Sequence, residues 1–273
     1  MRHSFFAGLL LMGGLAASSA VRAQEPVLLH AAGSLRAALT EVTQAFTAQS
    51  GLAVKPAFGA SGLLRERIAK GEAAEVFASA DLGNPRALAK EGRSGPVVLF
   101  ARNELCAFLR PGVTATPETL LERMLDTGLK LGTSTPRADP SGDYAFQVFA
   151  RAEAVKPGAR AALEAKALQL TGGPGSAPAP DGLNVYGHNL ASGAADIFLA
   201  YCTNAAPIAK EQPGVRLVRL PPELAVGAEY GLTVMHGASP NAGRLAMFIL
   251  AQEGQAILAR HGFAAPTLPR EGG

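Results

Sequence analysis

Beyond residue 23 the sequence holds no apolar run near the ~20 residues that a membrane-spanning helix needs, which argues against a membrane anchor. It has no dense run of Lys and Arg either. Nucleic-acid binding works mainly by neutralising phosphates, so a nucleic-acid partner gains no support. His30, His188, His236 and His261 are scattered, with no pair at metal-ligand spacing, which argues against a metal-cation site. Cysteine is reduced to Cys106 and Cys202, neither placed to carry a lipid anchor near the start of a processed chain. The Gly-rich stretches fit neither a phosphate-binding loop nor a dinucleotide fingerprint. No internal repeat is visible.

The amino terminus has a different character. Met1-Arg2-His3 is a short basic start, Phe5 to Ala17 is a short apolar run, and Val21-Arg22-Ala23 puts small side chains where a signal peptidase reads. This pattern predicts a secretory signal peptide over residues 1–23, cleaved before Gln24, and a protein exported to the periplasm. Cleavage removes Arg2 and Arg22, so the 25 basic residues become 23 against 22 acidic ones. The processed chain exceeds a usual single core and suits two lobes.

Patterning predicts strands alternating with helices. Val27–Ala32 reads as a buried strand running into Gly33-Ser34, after which Leu35, Leu39, Val42 and Phe46 recur at helical spacing up to Gly51. Leu52–Phe58 is again extended, Gly59-Ala60-Ser61-Gly62 opens a second helix, and Val76–Ser79 is a third strand leading to a helix near Pro85. Alternation of this kind gives an α/β lobe with a parallel sheet. Val97–Ala101 and Glu104–Leu109 read as two strand-like runs meeting at Arg102-Asn103. A helix at Pro117–Asp126, a strand at Leu129–Thr133 and a helix from Ser141 to about Ala154 follow. Thr171–Gly182 reads as a flexible surface loop. A helix at about Val185–Gly193, a strand at Asp196–Tyr201 and a last helix from Pro240 to His261 complete the reading.

Three serines recur at strand-to-helix junctions: Ser34, Ser61 and Ser141. A helix start exposes unpaired N–H groups and partial positive charge, so it binds anions without a formal cation, and a Ser adds a hydroxyl donor. The small neighbours Ala32, Gly33, Ala60, Gly62 and Gly142 allow close approach to the backbone. The alternative is plain N-capping by the Ser oxygen, although no Glu or Gln stands three residues on to complete a capping box. In open α/β sheets such turns lie where ligands bind.

With these residues in view, the chain resembles the molybdate-binding proteins of ABC importers, which have the type II periplasmic-binding-protein fold. The resemblance runs over residues 27–264. It rests on Ala31-Ala32-Gly33-Ser34-Leu35, Phe58–Leu63, Ala74–Asp81, Asp139-Pro140-Ser141-Gly142-Asp143-Tyr144-Ala145 and His261-Gly262-Phe263. It implies two α/β lobes with a ligand cleft between them, joined by two crossovers: residues 24–102 and 204–273 in lobe 1, and 103–203 in lobe 2. It implies a non-catalytic monomer without cofactor that captures molybdate, or tungstate, and docks on a membrane permease. The donor set it implies is neutral: hydroxyl and N–H from Ser34 and Ser61, N–H groups at Ser141 and Val185, and the phenol of Tyr201. This chain departs from the family by having Ser at 141, where Ala is usual, so an extra hydroxyl could face the ligand. The implied fold also brings Cys106 and Cys202 near each other, so a disulfide is expected, against the alternative of two buried thiols.

Two other readings stay open at this level. The same fold could take sulfate or another small anion. Ser61 could instead be the nucleophile of an exported serine hydrolase, although the usual Gly-x-Ser-x-Gly spacing is missing. Arg137 and Asp139 read as a solvated loop pair, His30 and His261 as structural, and His188 as the one histidine near the expected cleft.

Overall fold

Burial explains each early element of the chain, whose computed structural model describes residues 25–180 and 182–266; the expected signal peptide lies outside them. Strand β1 (Val27–Ala32) is apolar apart from His30 and almost wholly buried. A 3-10 turn at Gly33–Leu35 leads into α1 (Arg36–Ser50), which buries Ala38, Leu39, Val42 and Phe46 on one face. That helix ends at Gly51, whose φ of 72° suits glycine. Then come β2 (Val54–Gly59), α2 (Ser61–Ala69), β3 (Val76–Ser79) and α3 (Gly83–Lys90). Both β2 and β3 lie parallel to β1, so the loops carrying Ser34 and Ser61 emerge at one end of the sheet.

The two strand-like runs around Arg102-Asn103 form one strand, β4 (Val98–Leu109). The polar pair does not break it because both side chains find partners: Arg102 bonds Glu229, and Asn103 bonds Thr203 and Tyr230. The chain continues through α4 (Leu120–Leu125), β5 (Leu131–Ser134), α5 (Pro140–Val155), α6 (Ala159–Lys166) and β6 (Ala167–Thr171). After the Gly/Pro loop come α7 (Val185–Ala191), β7 (Ile197–Tyr201), a 3-10 turn at Cys202–Asn204, α8 (Ala205–Glu211), β8 (Arg216–Arg219) and β9 (Gly227–Val234). The expected last helix is two, α9 (Pro240–Leu250) and α10 (Gln252–Arg260). They part at Ala251, whose ψ is 165°, and Gly254 tucks so close that a Cβ there would stand 2.3 Å from the Phe248 carbonyl.

One sheet runs through the molecule in the order β2-β1-β3-β9-β4-β7-β5-β6. The long β4 belongs to both halves. Its first part pairs with β9, while Leu105–Leu109 pairs with β7 on one edge and Cys106–Leu109 with β8 on the other. This corrects the boundary expected at residue 204. Strand β8 pairs beside the second half, and Ile208 of α8 packs with Cys106, Tyr186 and Phe198, so the chain returns only at about residues 220–227. Cys106 and Cys202 are joined in a disulfide, with Cα atoms 5.0 Å apart.

Candidate functional site

Between the halves lies a cavity of about 980 Å³, lined among others by Ser34 and Ser61 from lobe 1 and by Asp139, Val185, Tyr186 and Tyr201 from lobe 2. The halves also touch directly. Gly62 N–H donates to the Ala138 carbonyl at 2.9 Å, and a Cβ on Gly62 would stand 2.2 Å from the Arg137 carbonyl. The lobes therefore meet in a closed arrangement.

Neither lobe 1 serine caps its helix with its side chain. Ser61, the first residue of α2, is 1% exposed, and its oxygen accepts the Ala80 N–H at 3.1 Å. With that acceptor position filled, its own proton is free to donate. Ser34 Oγ lies 2.9 Å from the Tyr230 hydroxyl. In lobe 2 the caps are Asp139 on α5 and Asn184 on α7. Asn184 Oδ1 accepts from the N–H groups of Tyr186 and Gly187, which leaves Val185 N–H outside the cap.

Ser141 opens α5 beside its cap. It is fully buried, it is not among the residues lining the cavity, and its N–H already donates to Asp139 Oδ1 at 3.0 Å. Its hydroxyl has no partner among the described residues. Asp139 lines the cavity wall, which corrects its reading as half of a solvated pair with Arg137. Arg137 is exposed, with φ 68°, and its N–H donates to Asp143. Asp139 as a whole is intermediate in exposure, yet protein encloses its carboxyl closely enough that burial lifts its pKa to about 6. The Ser141 N–H and the Ser134 hydroxyl oppose that rise, and the charges of Asp143 and Asp81 add to it. A sequence signal existed: Asp immediately before Pro is a typical helix cap.

Tyr201 is 1% exposed, and its hydroxyl has no partner among the described residues. Its ring packs at 6.2 Å from Tyr144 and 5.6 Å from Tyr230, and burial raises its pKa, so it stays a neutral donor. An unsatisfied buried donor costs ~1–3 kcal/mol, which a ligand oxygen would offset. The Gly/Pro loop read as surface also lines the cavity, through Thr171, Gly172, Gly173 and Ser176. His188 does not line it; His261 does, held by Glu41 at 2.8 Å. Ser61 bonds neither histidine nor carboxylate among the described residues, so the hydrolase reading gains no support.

Across residues 27–264 the chain matches the family model described as bacterial extracellular solute-binding protein. It belongs to that family. An uncharacterised protein of Pasteurella multocida is 36% identical over 203 residues, 74% of this chain and 84% of that protein. The molybdate-binding protein ModA of Mycobacterium tuberculosis is 26% identical over 88% of this chain and 85% of its own length. Among solved structures, the periplasmic molybdate-binding protein of Azotobacter vinelandii superposes with a TM-score of 0.70 at 21% identity, covering 88% of this chain and all of that one. The sulfate-binding protein SubI of Mycobacterium tuberculosis superposes at 0.72 and 18% identity, covering 89% and 88%. The fold of this solute-binding protein is that of the type II periplasmic binding proteins.

Proposed function

We propose that this solute-binding protein captures a tetrahedral oxyanion, molybdate or tungstate, in the periplasm and delivers it to the permease of an ABC importer. The observation that carries this reading is the buried, unpartnered Tyr201 phenol on a cleft that Ser34, Ser61 and the start of α7 also line. Arg36 and Arg260 line the cavity as well, Arg36 over the Phe58 ring and Arg260 paired with Glu41, while the hydroxyls and helix-start N–H groups suit an anion directly. Each lobe supplies part of the donor set, so the ligand favours closure by binding the closed state better. The 26% likeness to a molybdate-binding protein over most of both chains supports the choice of anion.

A calorimetric titration against molybdate, tungstate, sulfate and phosphate tests the proposal. Molybdate and tungstate should bind alike and sulfate much more weakly, because fixed donors left unpaired by a smaller anion cost ~1–3 kcal/mol each. Ser34→Ala or Ser61→Ala should weaken binding about tenfold. Sulfate competing on equal terms, or unchanged affinity in both variants, would refute it. One observation favours a second reading: an ionised carboxyl such as Asp139 only accepts hydrogen bonds, so it suits a protonated oxyanion such as hydrogen phosphate. Phosphate outcompeting molybdate would establish that reading.

A further inference from the structure

Tyr230 of β9 is completely buried, and its hydroxyl sits between two partners. On one side is Ser34 Oγ at 2.9 Å; on the other is Asn103 Nδ2 at 3.3 Å. The Asn103 amide has one orientation, because its Oδ1 accepts the N–H of Glu104 at 2.9 Å. Its nitrogen can therefore only donate: one proton to Tyr230 and the other to Thr203 Oγ1 at 2.9 Å. With its oxygen receiving from Asn103, Tyr230 has its single proton to offer Ser34. Ser34 then has an acceptor position filled, and its own proton is left for the cleft. Asn103 stands where β4 passes from β9 to β7, and Thr203 lies two residues after Tyr201. The same amide thus touches both lobes.

We infer that Tyr230 is a positioning residue for the Ser34 donor, and that Asn103 at the crossover fixes the direction of the Asn103–Tyr230–Ser34 chain so that Ser34 donates to the ligand. The inference rests on the oxyanion reading of the cleft. It makes Ser34 a donor by arrangement, because reversing the chain would present a lone pair to an anion.

The test is a double-mutant cycle with molybdate as the probe, read by calorimetry, with ligand-free melting temperatures to show that each variant is folded. In Asn103→Asp the new carboxylate accepts from Tyr230, which must then accept from Ser34 and consume its proton. Affinity should fall by about tenfold or more, a charged hydrogen bond having been reversed. Tyr230→Phe frees the Ser34 hydroxyl to rotate and should cost only a few-fold. The double variant should bind more tightly than Asn103→Asp alone, since removing the phenol releases Ser34. A carboxylate that acted merely through its charge would give no such recovery, and its absence in folded variants overturns the inference. A wild-type protein that does not bind molybdate defeats the functional proposal instead. The chain is then judged in the ligand-free state by NMR, where the Tyr230 hydroxyl proton should exchange slowly and lie close to the Ser34 methylene. A rapidly exchanging proton would overturn it.

Discussion

Asp139 puts a carboxyl on the wall that Ser34, Ser61 and Tyr201 also line, and its titration should govern the pH dependence of binding. Burial lifts its pKa to about 6. Ser134, Ser141, Asp143, Asp81, Tyr186 and Tyr201 are the polar and titratable groups around it. Above that pH the carboxylate opposes an incoming dianion; below it the neutral acid does not. Molybdate or sulfate affinity should therefore strengthen as pH falls from about 7.5 to about 5.5, and Asp139→Asn should flatten the profile. Equal slopes in wild type and variant would show that Asp139 does not face the ligand. The sign for stability is the same. The folded pKa lies above the unfolded one, so the folded chain holds more protons between them, and stability from this group declines as pH rises through that window.

At the scale of elements, closure depends on the start of α2. A Cβ on Gly62 would collide with the Arg137 carbonyl across the cleft, whereas within lobe 1 the helix tolerates alanine well. Gly62→Ala should leave ligand-free melting nearly unchanged, weaken anion binding about tenfold or more, and hold the liganded protein open in small-angle scattering. Full compaction with ligand would contradict this. The disulfide acts on another pair of elements, tying the second half of β4 to the turn after β7. It spans 96 residues of sequence, and a closed loop of that size is worth ~2–5 kcal/mol, largely through the unfolded chain. Reduction, or replacement of both cysteines by alanine, should lower the urea midpoint accordingly; coincident curves would show that the bridge contributes nothing.

At the scale of the molecule, the chain has no tryptophan and four tyrosines; two line the cavity and the other two pack against one of those. Tyr144 packs edge-on and Tyr230 tilted against Tyr201, which lines the cavity with Tyr186. Tyrosine fluorescence should therefore respond to ligand with one saturating curve, without any label. A silent titration at concentrations where calorimetry detects binding would place the ligand elsewhere. The sequence alone determined the α/β alternation and the Ser34 and Ser61 helix starts, because these follow from local burial periodicity and from residue types within a few positions; the Tyr201 phenol was implied only by the family resemblance. Only the tertiary structure decided that Asp139 lines the cavity, that the Gly/Pro loop does so too, and that the chain returns near residue 220 rather than 204. It likewise brought Ser34 to Tyr230 across 196 residues. The physical reason is common to all four: a group's burial, its free hydrogen-bonding positions and its pKa depend on atoms that only the folded chain brings together.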